Sequence, residues 1–248
     1  MNEIHHGDTE TETRREIWAR KPQIRLVYER WARRIRPFVP DGVMLEVGSG
    51  SGLTRDLFPR AILSDILHAL WLDAAADCLR LPFRTGSLGC VLVFDTLHHT
   101  ADPHVFLREA ARVLRPGGRI ILVEPFITPV SFAGYKLLHH EDVCFASYQK
   151  PVPGGDKTDA WQGNLAMANI VFRRQAREWP QRQPSLRIVH QSLMSFFDFQ
   201  LAAGFKPHAY LPMCLFRRAV RLDDWLGFAM PFAAFRIFIV LEKKSATT

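Results

Sequence analysis

The segment Leu45-Glu46-Val47-Gly48-Ser49-Gly50-Ser51-Gly52 constrains the fold of this chain more than any other stretch. A short apolar run gives way there to three glycines at alternate positions, a pattern typical of a strand that turns sharply into a helix. Because glycine has no Cβ, the backbone at such a turn can approach a ligand closely, and the following helix offers free N–H groups. The segment therefore predicts a strand, a tight turn and a helix, with a nucleotide-type ligand at residues 46–52.

The spacing of the glycines narrows the kind of ligand. A dinucleotide fingerprint reads G-x-G-x-x-G/A, and counted from Gly48 its third small residue would fall on the bulky Leu53. The third glycine is instead Gly52, and Glu46 precedes the first glycine by two positions. The next predicted strand ends at Asp65, 19 residues after Glu46, where a carboxylate can accept both hydroxyl hydrogens of a ribose.

Alternation of apolar runs and helical periods predicts an α/β protein with a doubly wound, mostly parallel sheet and its ligand at the carboxyl ends of the strands. We expect one domain over residues 1–248, with an N-terminal helix at 14–36 that Pro22 interrupts near its start. Two segments are too long for ordinary connections and are predicted to cap the substrate. Predicted strands lie at 43–47, 61–64, 89–94, 119–123, 205–211 and 235–242, and the predicted cap insertions at 126–195 and 212–234.

Composition limits the location and the partners. The 248 residues are 48% hydrophobic and 23% charged, which is ordinary for a globular protein. The first residues lack an apolar secretion signal, and the segment 228–241 is too short and too interrupted to span a bilayer, so we expect a cytoplasmic protein with no transmembrane segment. Peripheral contact with a membrane surface stays open. The four cysteines form no C-x-x-C pair, which argues against a disulfide framework or a zinc site.

Three further motifs follow the glycine run in order: Asp77-Cys78-Leu79-Arg80-Leu81-Pro82-Phe83, Phe94-Asp95-Thr96-Leu97-His98-His99, and Arg112-Val113-Leu114-Arg115-Pro116-Gly117-Gly118. Together they resemble the type 11 group of class I S-adenosylmethionine (SAM) dependent methyltransferases, over residues 43–125. The resemblance implies a Rossmann-like SAM-binding core with a doubly wound, mostly parallel, seven-stranded sheet. The residues that it implies for SAM binding are Glu46, Gly48, Ser49, Gly50, Gly52, Asp65, Ile66, Asp77, Cys78 and Asp95.

The resemblance also implies a role for several of these residues. The glycine loop would surround the methionine part of SAM, Asp65 would bind the ribose hydroxyls, and Asp77 would accept from the adenine amino group. Cys78 would offer its backbone N–H to the adenine ring, and Glu46 would orient the glycine loop or reach the SAM ammonium. The chain departs from the family in one respect, because only eleven residues separate Asp65 from Asp77. This short connection predicts a shallow adenine pocket. It also leaves Asp73 as a competing candidate for the adenine or ribose contact.

Methyl transfer from a sulfonium needs an acceptor in line with the methyl carbon and shelter from water. A hydroxyl or acidic-carbon acceptor also needs a general base, for which histidine is suited near neutral pH. We favour His140, oriented by Glu141, and keep His99, beside His98, as a further candidate. The cluster His139-His140-Glu141-Asp142 offers adjacent metal-ligating side chains but no further ligand at metal spacing, so no metal is expected.

The predicted cap is rich in aromatic residues interleaved with arginines, which suits a small, amphiphilic or acidic acceptor; a second core with an arginine-coated exterior is the alternative interpretation. The net charge of +7 allows a nucleic-acid partner. The chain has no N/D-P-P-Y/F motif, no Pro-Cys nucleophile and no RNA-binding signature, so we expect a small-molecule acceptor and no nucleic acid. An RNA methyltransferase and a non-catalytic SAM-binding regulator or partner subunit remain the alternative functions. The oligomeric state is not indicated.

Overall fold

A computed structural model describes residues 6–138, 142–148 and 163–245 of the chain. Its centre is a seven-stranded sheet in the order β3-β2-β1-β4-β5-β7-β6, in which only β7 runs against its neighbours. This topology confirms the predicted doubly wound, mostly parallel sheet. The strands are β1 Met44–Val47, β2 Ile62–Asp65, β3 Ala74–Ala75, β4 Leu88–Phe94, β5 Leu114–Pro125, β6 Leu186–Met194 and β7 Arg236–Lys243.

Helices cover both faces of the sheet, because its central strands are apolar on both sides. Every residue of β4 is buried, and Leu45, Ile121 and Ile239 are fully enclosed in neighbouring strands. Full burial of such a side chain contributes roughly 2 kcal/mol each. The helices are α1 His6–Arg20, α2 Pro22–Ile35, α3 Pro103–Val113, α4 Pro129–Leu138, α5 Met167–Asn169, α6 Trp179–Arg182, α7 Asp198–Leu201, α8 Met213–Trp225 and α9 Met230–Ala233.

The predicted N-terminal helix at 14–36 is two helices. Pro22 occupies the first turn of α2, and Lys21 before it is extended, as a residue preceding proline prefers. The Lys21 ammonium donates to the carbonyls of Gly204, Lys206 and His208, and burial lowers its pKa to about 8. The break between the helices therefore anchors a distant loop to the N-terminal segment.

The C-terminal half differs from the prediction in two places. Residues 205–211 form no strand, because this stretch turns and Pro207 has no N–H for a ladder. The missing strand is β6, Leu186–Met194, which lies inside the segment 126–195 that we assigned to a cap. As an edge strand paired only with β7, it is exposed along much of its length, and its polar residues Arg187, His190, Gln191 and Ser192 interrupt the apolar run that a central strand would show.

With β6 assigned to the sheet, two insertions are left, and both start at the same edge of the sheet. The segment after β5 leaves from that strand's carboxyl end, and its part Met167–Phe172 packs into the core beside the sheet. Residues 195–235 join the carboxyl end of β6 to the start of β7. Because β7 is antiparallel, its first residue also lies at the carboxyl edge. Both insertions therefore begin at the edge where ligands of this fold class bind.

Candidate cofactor-binding site

The three glycines of the loop after β1 all have left-handed backbones, with φ of +67° at Gly48, +45° at Gly50 and +65° at Gly52. A Cβ at Gly48 would overlap the side chain of Thr96, and one at Gly52 would lie 2.9 Å from the ring of Trp71. A Cβ at Gly50 would meet nothing closer than 4.0 Å. Packing thus requires two of the glycines, while Gly50 has room beside it, with the nearest atoms, in Asp65 and Thr11, 4.0 Å from that Cβ position.

Asp65, at the end of β2, is fastened to this loop. Its carboxylate is buried and accepts from the backbone N–H of Gly50 at 2.7 Å and of Leu67 at 2.9 Å, one bond on each oxygen. An ionised carboxylate has about four acceptor positions, so further hydrogen bonds to a pair of hydroxyls fit. The position of Asp65 next to the room beside Gly50 suits the ribose contact that the resemblance implies.

The predicted adenine side is open to solvent. Ile66 is 63% exposed, Asp77 is exposed and Cys78 is half-buried. One carboxylate oxygen of Asp77 accepts from the N–H of Leu79, which fixes the side chain in its turn. No helix intervenes between β2 and β3 in the described chain, and this absence agrees with a shallow adenine pocket.

Asp73, the competing candidate for the adenine or ribose contact, forms other hydrogen bonds. A single oxygen of its carboxylate accepts from the N–H of Leu63 at 2.7 Å and from the Arg55 guanidinium at 2.6 Å. The backbone hydrogen bond, followed by the arginine, lowers the pKa of this carboxyl. These contacts give Asp73 a structural role, because it links Leu63 of β2 to Arg55.

Trp71 and Arg15 cover the outer side of the glycine loop. The Trp71 indole N–H donates to the Gly50 carbonyl at 2.8 Å, and the Arg15 guanidinium donates to the Ser51 carbonyl at 2.9 Å. The guanidinium also lies 4.6 Å from the centre of the Trp71 ring, within cation–π range. These hydrogen bonds satisfy carbonyls that a tight turn leaves unpaired. Through Arg15, they also attach the glycine loop to α1.

Glu46 is buried beneath the loop. Its side chain accepts from the Thr54 hydroxyl at the start of the short 3-10 helix Leu53–Asp56, and burial raises its pKa to about 8. The Glu46 backbone carbonyl accepts from the hydroxyls of Ser49 and Ser64. Two roles were predicted for Glu46, and these contacts explain one of them: how Glu46 orients the glycine loop.

Asp95, after β4, has a left-handed backbone with φ of +49°, which is uncommon outside glycine. Its carboxylate forms an ion pair with Arg236, the first residue of β7. Arg236 is buried, and its guanidinium lies 5.3 Å from the Trp31 ring and 4.9 Å from the Phe199 ring. Burial lowers the pKa of Arg236 to about 10, so it stays protonated at neutral pH. The ion pair connects the predicted SAM site to the last strand.

Glu124, at the end of β5, organises the turn after β4. One of its oxygens accepts from the N–H groups of Thr96 and Leu97, and the other lies 2.8 Å from Nδ1 of His98. His99 lies against His98, with ring centres 4.0 Å apart and the ring planes tilted by 39°. His98 therefore has a structural partner, while the predicted catalytic role of His99 stays a prediction.

Asp95, His98 and Glu124 bring potential metal-ligating atoms within 4.8 Å of one another. Their donor atoms are already used: Glu124 accepts from backbone and from His98, and Asp95 pairs with Arg236. A divalent cation would have to displace these bonds and lie beside the arginine charge. This cluster therefore does not fit a metal site, and the expectation of no metal stays a prediction.

The favoured general base and its partner, His140 and Glu141, lie outside the described residues, so their catalytic roles stay predictions.

Sequence reasoning missed four residues that shape the site. Glu124 could have been recognised as an acid at a strand end, like Asp65, whereas Arg236 lies within an apolar run that gives no signal of its partner. The missed residues are Arg15, Trp71, Glu124 and Arg236.

Residues 45–122 match the family model described as a methyltransferase domain. The chain is similar in fold to a SAM-dependent methyltransferase from Archaeoglobus fulgidus, with a TM-score of 0.53, 14% identity, and coverage of 88% of this chain and 94% of that one. The resemblance to class I methyltransferases is thereby confirmed: residues 45–122 match a methyltransferase domain, and the sheet has the Rossmann-like fold of a SAM-dependent methyltransferase.

Two curated relatives match parts of the same region. The 27-O-demethylrifamycin SV methyltransferase of Amycolatopsis mediterranei is 43% identical over 54 residues, which are 22% of this chain and 20% of that protein. The ubiquinone biosynthesis O-methyltransferase of Xanthomonas oryzae pv. oryzae is 30% identical over 109 residues, 36% of this chain and 46% of that protein. This chain thus matches less than half the length of each.

Among the described residues, no helix has the length and apolar character needed to cross a bilayer.

Proposed function

We propose that this protein transfers the methyl group of SAM to a small, amphiphilic or acidic acceptor. The observation that carries the proposal is the joint between the glycine loop and Asp65, in which the Gly50 N–H is bound by the carboxylate and Gly50 has room beside it. This joint lies within the segment that matches the methyltransferase domain. Both named relatives are methyltransferases of small molecules, which supports the acceptor class.

The residues of the chain would bind and orient the two reactants. Asp65 would hold the ribose, Asp77 and the Cys78 N–H would hold the adenine, and the glycine loop would enclose the methionine part. SAM supplies an activated methyl group on a sulfonium, so the protein needs to align the acceptor with it and exclude water. The first turn after β4, fixed by Glu124, and the insertion after β5 would form the acceptor side.

The general base is the finer part of the proposal. His140 with Glu141 remains our first candidate and His99 the second, because a hydroxyl acceptor must lose a proton during transfer. His99 follows the turn that Glu124 fixes at the carboxyl edge of the sheet, so its position is compatible with this role. Replacement of each residue separately, His99→Gln and His140→Gln, would distinguish the two.

The test is turnover. The full-length protein is incubated with SAM and, in separate reactions, with hydroxylated quinones, phenolic polyketides, aromatic acids and bulk RNA, and formation of S-adenosylhomocysteine is measured. We expect product with a small-molecule class and none with RNA. Turnover only with RNA would favour the alternative RNA methyltransferase. SAM binding without turnover on any acceptor would favour the non-catalytic regulator.

A further inference from the structure

The insertion before β7 exposes large apolar side chains to solvent. Trp225 at the end of α8 is 72% exposed, Phe228 in the following 3-10 turn is 73% exposed, and Phe232 in α9 is 67% exposed. Leu222, one turn before Trp225, is 48% exposed. The rings of Trp225 and Phe228 lie 5.9 Å apart at nearly a right angle. We name these four side chains the aromatic surface.

Basic residues share the outward side of this insertion. Phe216, Val220 and Asp223 form the buried side of α8. At 100° per residue, Trp225 and Leu222 lie on the opposite side, together with Arg218 and Arg221. The outward face of α8 thus combines apolar side chains with guanidinium groups instead of separating them.

The acidic residues of the insertion do not neutralise these arginines. Asp223 is buried and accepts from the N–H groups of Phe196 and Phe197, while Asp224 pairs with Arg30 and Arg34 on α2. Within the part of the chain that the structure describes, Arg217, Arg218 and Arg221 form no ion pair. The face around the aromatic surface therefore carries net positive charge.

The apolar character continues onto a neighbouring helix. α4 packs beside α9 and exposes Val130 and Phe132. The Lys136 ammonium lies 5.5 Å from the centre of the Phe132 ring, so here too a cation accompanies an exposed aromatic residue. Exposed apolar side chains thus extend from the insertion before β7 onto α4.

We propose that the aromatic surface docks onto an anionic lipid bilayer. Tryptophan and phenylalanine beside arginine are the side chains that favour the boundary between headgroups and acyl chains, and anionic lipids attract basic residues placed near that boundary. A second copy of the chain fits the surface less well. A two-fold contact would set the arginines of each copy against those of the other, in a protein whose net charge is already +7.

The insertion that carries the aromatic surface starts and ends at the carboxyl edge of the sheet, the edge at which the glycine loop also lies. Docking to a bilayer suits the amphiphilic acceptor of the proposed function, because such an acceptor partitions into the bilayer. The docking itself needs no methyl transfer, so its test is independent of the proposed function.

Vesicle flotation without SAM tests the proposal. Vesicles of equimolar phosphatidylcholine and phosphatidylglycerol are expected to carry the wild-type protein, and vesicles of phosphatidylcholine alone are expected to carry much less. Trp225→Ala/Phe228→Ala/Phe232→Ala should weaken binding roughly tenfold or more. Arg218→Gln/Arg221→Gln should weaken it by roughly fivefold per arginine, and added salt should have the same effect. Val43→Ser is the matched control, because Val43 is exposed at the opposite edge of the sheet.

Circular dichroism and thermal unfolding check that each variant folds; if the triple variant does not, Trp225→Ala and the arginine variant carry the test. Absence of wild-type flotation would overturn the proposal, and so would equal binding to neutral vesicles or unchanged binding by the folded variants. Light scattering provides a further outcome. A dimeric wild type that becomes monomeric in the triple variant would assign the surface to a second copy and would also overturn the proposal.

Discussion

The glycine loop and the capping insertions lie at the same edge of the sheet, yet they are held in different ways. The loop is fixed by polar side chains that bind its backbone: Asp65 from β2, Trp71 from the next turn and Arg15 from α1. The insertion before β7 instead leaves Trp225 and Phe228 largely in solvent. The loop is organised before any ligand arrives, whereas the insertion has an outward face without a folded partner among the described residues.

The difference follows from what each region has to recognise. SAM-dependent methyltransferases share one methyl donor, so the loop and the carboxylates proposed to hold it recognise the same molecule whatever the acceptor is. Acceptors differ, and the two named relatives act on different molecules while matching this chain over only 22% and 36% of its length. We infer that donor binding depends on a few fixed hydrogen bonds and that acceptor selection depends on the less constrained insertions.

The largest expected effect is on SAM affinity. Asp65→Ala should weaken SAM binding by roughly 100-fold or more, because two hydrogen bonds to a charged acceptor would be lost. Asp73→Ala is the matched control: its carboxylate is engaged by Leu63 and Arg55, so affinity should change by no more than about twofold. Titration by intrinsic tryptophan fluorescence measures both. If Asp73→Ala had the larger effect, the ribose contact would be misplaced.

The next effect concerns the ion pair that joins the two regions. Arg236→Met leaves Asp95 without its partner and should lower the free energy of unfolding by roughly 3 kcal/mol. Asp95→Asn/Arg236→Met should recover part of this loss, because the unpaired carboxylate is then also removed. Chemical denaturation of the single and double variants checks this. Equal stability of Arg236→Met and wild type would mean that the β7 residue is not coupled to the site.

A smaller effect distinguishes the glycines within the loop. Gly50→Ala should cost roughly 1 to 2 kcal/mol for its left-handed backbone while sharply reducing SAM affinity, since its Cβ takes up room beside the loop. Gly48→Ala should destabilise the fold more, because its Cβ overlaps Thr96. Thermal unfolding and SAM titration of both variants make the comparison. An equal loss of stability in the two would contradict the different roles assigned to them.

The last effect is a pH dependence. Burial raises the pKa of Glu46 to about 8 in the folded protein, above its unfolded value of 4.5. The folded state therefore binds the proton more tightly, and this contribution is full below pH 4.5 and is lost as the pH rises toward about 8. Glu46→Gln should remove that slope. Melting temperatures across this pH range measure it, and parallel curves for the two proteins would contradict it.

The sequence predicted the half of the fold in which local chemistry determines local structure. Gly48, Gly50 and Asp65 could be recognised because the loop they form needs their particular backbone and side-chain chemistry. β6 was missed because, as an edge strand, it carries polar residues that interrupt its apolar run, and residues 205–211 were misassigned because apolar content alone does not reveal a turn at Pro207. Arg236 could not be predicted, since its partner Asp95 is distant in sequence.

The central claim is that a sulfonium nucleoside binds across the ends of β1, β2 and β3. Isothermal titration calorimetry of the full-length protein with SAM, and with S-adenosylhomocysteine, tests it most directly. We predict saturable binding of one molecule per chain for both compounds. Well-folded protein that gives no binding heat with either compound, at more than one temperature, would contradict it.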